Sequence, residues 1–141
     1  HNVRSAVRTA DCVAVENIIL FVITGPPPHR EIEKTALGAT QSVSWSHVED
    51  TQTALAQLKA EGYQLIAIEQ AAQSTFLQEY TVDPAAKYAL IFGNEVHGVD
   101  ESIMQQVDSC IEIPQFGTKH SFNVSVTIGI VLWDFVRKMK F

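Results

Sequence analysis

Six consecutive apolar residues, Ile18 to Ile23, constrain this chain more than any other feature. The run IILFVI is rich in β-branched side chains and has no polar alternation, so it reads as a strand buried on both faces, the pattern of a parallel sheet. Further apolar runs follow at Leu65 to Ile68, Tyr88 to Phe92 and Cys110 to Ile113. Helical patterns separate them. Asp50 or Thr51 caps a helix with Ala54, Leu55 and Leu58 inward, Lys59 and Glu61 outward, and Gly62 as its terminator. A polar helix is expected from Asp100 to Val107, and a short one from Glu31 to Ala39, followed by a brief strand around Val43 to Trp45. Strand and helix alternate, which predicts an α/β fold with a mostly parallel sheet and helices on both faces.

The two ends of the chain read as amphipathic helices. Val3, Ala6, Val7, Ala10 and Ala14 form one stripe over residues 2 to 14, with Asn2 suited to the N-cap and Arg4, Arg8 and Asp11 on another face. Those arginines are equally well read as a solvated face with an Arg8–Asp11 pair. From Val126 onward, Ile128, Val131, Leu132, Phe135, Val136 and Met139 define the inner face of the closing helix. Trp133 and Phe141 widen its apolar surface enough to bury against the sheet or against a second subunit. Between the first strand and the next element, Pro26-Pro27-Pro28 presents His29 and Arg30 on a stiff loop.

Length and composition then narrow the class. The 141 residues fit one domain with one core, and 46% hydrophobic against 18% charged residues is too apolar for a disordered chain. No apolar run approaches the roughly 20 residues that span a bilayer. Cys12 and Cys110 lie far apart without a C-x-x-C pair or regular histidine spacing, so reduced thiols in a cytoplasmic protein are expected, with no metal site. A formal charge of -6 excludes a nonspecific nucleic-acid coat, yet Arg4, Arg8, His29, Arg30, Lys34, Lys119 and His120 leave room for a local basic patch beside candidate loops.

Several familiar chemistries fail at the residue level. Gly93 and Gly98 bracket four residues, but Val99-Asp100 follows where a P-loop needs Lys and Ser or Thr, and no G-x-G-x-x-G or G-x-S-x-G occurs. What remains is a set of strand ends and loops within Leu90 to Val126, the positions where open α/β sheets bind ligands.

Three segments together resemble the SpoU/TrmH family of SPOUT RNA ribose 2′-O-methyltransferases. They are Asn2 through Arg8-Thr9; Ile91-Phe92-Gly93-Asn94-Glu95 with Gly98, continuing to Ile111-Glu112-Ile113-Pro114; and Ser121-Phe122-Asn123-Val124-Ser125-Val126. Glu69-Gln70 with Ser74, Pro27-Pro28-His29 and Lys34 to Gly38 lean toward its tRNA-modifying side. The resemblance implies an α/β-knot fold in which the carboxyl-terminal third threads a loop as a trefoil knot, an exception to the usual connection rules. It implies S-adenosylmethionine as cofactor, held by Ala71, Gly93, Ile113 and Phe122. Arg8 is implied to activate and orient the ribose 2′-hydroxyl, with Asn2, Glu95, Ser121 and Asn123 completing the catalytic set. It further implies an RNA substrate, tRNA before rRNA, and a homodimer packed through the first and last helices, independent of metal and membrane. An amino-terminal extension is expected to be absent or trimmed. An inactive knotted RNA-binding or assembly module is the alternative.

Overall fold

The computed structural model describes residues 17–24, 31–37, 46–48, 50–93, 98–114 and 124–141. In chain order these form β1 Ile18–Thr24, β2 Glu31–Leu37, β3 Ser46–His47, α1 Thr51–Ala60, β4 Tyr63–Ile68, β5 Thr75–Phe76, a 3-10 turn at Leu77–Glu79, β6 Lys87–Phe92, α2 Glu101–Met104, β7 Ser109–Glu112 and α3 Val124–Lys140. The expected helix over 2–14, the triple-proline loop and the expected strand at 43–45 lie outside the described residues.

The strands build one sheet in the order β3-β2-β1-β6-β4-β7-β5. β1, β6, β4, β7 and β5 run parallel, and β2 and β3 are added antiparallel at one side. Parallel strands that lie mid-sheet must be covered on both faces, and side chains of successive residues point to opposite faces. Ile18, Leu20, Val22, Ile66, Tyr88, Leu90 and Phe92 accordingly pack with Ile128, Val131, Leu132, Phe135 and Val136 of α3. Ile19, Phe21, Ile23, Leu65, Ala89 and Ile91 pack on the other side with Leu55 and Leu58 of α1 and Ile103 of α2. Each such buried aliphatic side chain contributes about 1.5–3 kcal/mol.

Local chemistry explains the helix bounds. Asp50 caps α1, its carboxylate accepting from the Thr53 amide at 3.2 Å and the Thr53 hydroxyl at 2.7 Å. Gly62, at φ 92°, turns the chain out of the helix and into β4. Midway along β4, the pairing with β7 begins at Asp108, whose carboxylate accepts from the Leu65 amide at 2.7 Å while its own amide donates to the Leu65 carbonyl at 2.8 Å.

Two expectations need correction. Glu31 to Ala39 was expected to be helical, but residues 31–37 form a strand that pairs with β1 from Ile18↔Leu37 to Thr24↔Glu31. A nine-residue helix would leave its first four amides unpaired, whereas the open edge of β1 offers a full ladder. Within that strand Thr35 and Leu37 are buried and Ala36 is exposed, the alternation of a sheet. Lys34 therefore lies mid-strand rather than in a basic loop. The polar helix is also shorter than expected, four residues of α2 followed by a turn.

Candidate active site

Three neighbouring strand ends define the site. Register places Ile68 of β4 beside Phe92 of β6 and beside Ile111 of β7. The residues that leave these strands, Glu69, Gly93 and Glu112-Ile113, therefore emerge side by side along one carboxyl edge, across roughly 10 Å at normal strand spacing. This is the edge at which parallel α/β sheets hold ligands.

Hydrogen bonds tie that edge together. The Glu69 amide donates to the Ile111 carbonyl at 3.0 Å. Its carbonyl accepts from the Cys110 thiol at 3.2 Å, and its carboxylate accepts from the Val99 amide at 2.6 Å. Beyond β4 the chain turns at Ala71, whose carbonyl accepts from the Ser74 amide at 3.2 Å. The Ser74 hydroxyl lies 2.9 Å from the same carbonyl and also contacts the Glu112 carboxylate, which pins this turn to β7. Burial, with the Glu69 carboxylate as the next cause, pushes the Cys110 thiol up to about 11, so at neutral pH it is a protonated donor and a poor nucleophile.

Glycine is required at position 93 by the fold itself. A Cβ there would stand 2.5 Å from the Gly98 carbonyl oxygen and 2.6 Å from the Val99 nitrogen, both fixed backbone. Gly98 sits at φ 66°, where side chains are disfavoured. The loop leaving β6 thus returns against its own first residue.

Of the expected cofactor residues, Ala71, Gly93 and Ile113 are brought to this one edge, each half-buried. Phe122 lies outside the described residues, as do Asn2, Arg8, Glu95, Ser121 and Asn123. Ile113 and Ile68 pack partly on the α3 side of the core, which leaves apolar surface at the edge. Glu69 and Glu112 add negative charge. Both carboxylates are taken up by the fold, Glu69 by the Val99 amide and Glu112 by the Ser74 hydroxyl, so it is the apolar flank and the open backbone of the edge that fit the adenine of S-adenosylmethionine. Among the described residues no group of three or more His, Cys, Asp or Glu side chains is placed to hold a metal ion.

Sequence reasoning quoted Glu69 and Ser74 without giving either a structural task. Their partners, Val99 and Glu112, are 30 and 38 residues away. The only local signal is a charged residue set directly at the end of the apolar run YQLIAI.

Comparison with known proteins agrees with this architecture. The model of the SpoU rRNA Methylase family matches residues 1–133. The mouse tRNA (guanosine(18)-2'-O)-methyltransferase TARBP1 is 37% identical over 111 residues, 77% of this chain and 7% of its own length. The crystal structure of the Aquifex aeolicus TrmH/SpoU tRNA modifying enzyme aligns with a TM-score of 0.68 at 26% identity, covering 98% of this chain and 68% of that one. An AdoMet-bound rRNA methyltransferase from Sinorhizobium meliloti shares the fold, with a TM-score of 0.68 at 22% identity over 96% of this chain and 51% of its own. The chain spans 52–64% of the length of three bacterial curated relatives.

Proposed function

We propose, from the premise that this chain belongs to the SpoU/TrmH methylase family, that it transfers a methyl group from S-adenosylmethionine to a ribose 2′-hydroxyl of RNA. The observation that carries this reading is the convergence of Ala71, Gly93 and Ile113 on the carboxyl edge of β6-β4-β7. The substrate is a structured RNA, with tRNA ahead of rRNA, in line with the names of the mouse and Aquifex relatives. Residues 1–141 act as one domain, with the carboxyl-terminal third threaded as a trefoil knot, and work as a cytoplasmic homodimer.

When bound, S-adenosylmethionine supplies an electrophilic methyl group. The backbone of Gly93 and Ile113, with the apolar surface of Ala71 and Phe122, holds it. Transfer would form the bond between the 2′-oxygen and the methyl carbon, break the sulfur–methyl bond to leave the neutral thioether, and pass the hydroxyl proton to a phosphate oxygen of the RNA or to water. Arg8 orients that hydroxyl. Its guanidinium stays protonated at neutral pH, so its contribution is alignment and stabilisation of the developing oxyanion rather than proton removal by a free base. Asn2, Glu95, Ser121 and Asn123 hold the first helix and the loops in the geometry this needs.

The test is incubation of the protein with S-adenosylmethionine labelled in its methyl group and with bulk tRNA and rRNA, followed by nucleoside analysis. Label in 2′-O-methylribose, tRNA above rRNA, is the expected result. Label on a base would sink the ribose assignment, and cofactor binding without transfer would favour an inactive RNA-binding module. For Arg8→Ala, turnover is expected to fall roughly hundredfold or more while cofactor affinity is kept. Unchanged turnover would remove Arg8 from the reaction.

A further inference from the structure

We propose that Glu69 is a positioning residue for the cofactor site: its carboxylate latches the loop that leaves β6 to the ends of β4 and β7. This rests on the reading of that edge as the S-adenosylmethionine site.

The geometry places one residue at the end of β4 in contact with both β7 and the segment beyond β6. Glu69 leaves β4, its amide and carbonyl are held by Ile111 and Cys110 of β7, and its carboxylate reaches the Val99 amide beyond β6 at 2.6 Å. Val99 is buried among Leu55, Leu58, Ala89, Ile91 and Ile103, so its peptide is fixed from the other side by the core. Space around Gly98 is equally specific. A Cβ on Gly98 would fall into the Glu69 carboxylate, with Oε1 and Cδ at 3.0 Å, and a Cβ on Gly93 would strike the carbonyl of Gly98 and the nitrogen of Val99. The Gly98–Val99 peptide is therefore in close contact with both the Gly93 backbone and the Glu69 side chain. Without the carboxylate the Val99 amide loses its charged acceptor, the Gly98–Val99 turn keeps its backbone bridge and packing, and the position of Gly93 beside β4 loses one brace. Glu69 itself stays behind the loop and acts through Val99 and Gly98.

A hydrogen bond between a charged acceptor and a protected amide predicts a readout at Val99 itself. Glu69→Ala, Glu69→Asp and Glu69→Gln are to be compared with the wild type by amide hydrogen exchange at Val99, calorimetric affinity for S-adenosylmethionine, and methyl-transfer kinetics. In Glu69→Ala the Val99 amide is expected to exchange at least about tenfold faster and the cofactor to bind about tenfold more weakly. KM for the cofactor rises and kcat at saturation stays within about twofold, the pattern for a lost binding brace. Glu69→Asp, one methylene short, behaves like Ala, while Glu69→Gln, whose side-chain carbonyl can accept the same N–H, recovers both protection and affinity. Rescue by Gln separates the latch from a general loss of stability, and the Gln and Asp variants carry the test if Ala does not fold. Unchanged Val99 exchange, or lost protection with unchanged cofactor affinity, overturns the positioning role alone. A wild-type protein that binds no S-adenosylmethionine overturns the reading of the site and this role together.

Discussion

Cys110 illustrates how the neighbours of a reactive group decide its chemistry. Its thiol is half-buried in β7, donates to the Glu69 carbonyl at 3.2 Å and lies near the Glu69 carboxylate, and burial first, then that charge, disfavours the thiolate. The result is a pKa of about 11 against an ordinary value of 9.0. Two units correspond to about a hundredfold less thiolate at pH 8, so iodoacetamide should alkylate Cys110 about a hundredfold more slowly in the folded protein than in urea. Peptide mass spectrometry of a pH series reads this directly, with the folded-state rate climbing toward pH 11. The sign for stability follows. Because the folded state holds the proton more tightly, this contribution is complete below pH 9 and is lost as pH rises through 11. Equal labelling rates in native protein and in urea at pH 8 would show that the thiol is not shielded as described.

At the scale of elements, α3 is held to the 3-10 turn by a polar clamp as well as by packing. Lys138 donates to the Leu77 carbonyl at 2.6 Å and the Tyr80 carbonyl at 2.8 Å, and pairs with Asp134 at 2.5 Å, with only 14% of either side chain exposed. Phe135 beside it stacks on Tyr80 at 5.9 Å and meets Tyr88 edge-on at 5.3 Å. Lys138→Met keeps the stem and removes the charge, leaving the Asp134 carboxylate to Arg137 at 2.6 Å, the Leu77 carbonyl to the Tyr80 amide at 3.2 Å, and the Tyr80 carbonyl without the ammonium. Urea unfolding should show a loss of about 1–3 kcal/mol with an unchanged m-value. No measurable loss would mean that the ring contacts alone hold the turn. The contrast between α3 and the strand edges explains what the sequence could disclose. The periodicity of α3, the Asp50 cap of α1 and the four apolar central strands are local signals, and all were legible. β2 was not, because EIEKTAL has no decisive local preference and takes its conformation from the unpaired edge of β1. Nor was β5, whose two residues are a strand only by pairing with β7.

For the whole molecule, the site was legible in a different way from the core. Periodicity identified strand ends, but it was the order of three short motifs that marked Gly93 and Ile113 as partners, with Ala71 added by the family resemblance those motifs carry, and the structure brings those three to one edge. Glu69 escaped because its task exists only once β4, β6 and β7 are adjacent. Among the described residues, α3 also keeps an exposed apolar strip. Val126, Ile130 and Trp133 repeat at i, i+4 and i+7 on the outer face of α3, opposite the residues that meet the sheet, and Trp133 is 55% exposed with the Phe141 ring 6.4 Å away. Gly129 lies on that face, and a Cβ there would meet nothing within 4 Å, so a second helix has room to approach the backbone closely. This face is the α3 part of the proposed homodimer. In a two-fold interface each substitution acts twice, and a buried tryptophan is a typical energetic anchor. Trp133→Glu should therefore weaken the dimer roughly thirtyfold or more while leaving the monomer folded, since the side chain is largely outside the core. Gly129→Leu should act the same way by bulk alone. Sedimentation velocity across a concentration series, with far-ultraviolet circular dichroism as the check on folding, separates the outcomes. Variants that remain dimeric would move the interface away from this face, and a wild-type protein monomeric at micromolar concentration would remove the dimer from the proposed mechanism.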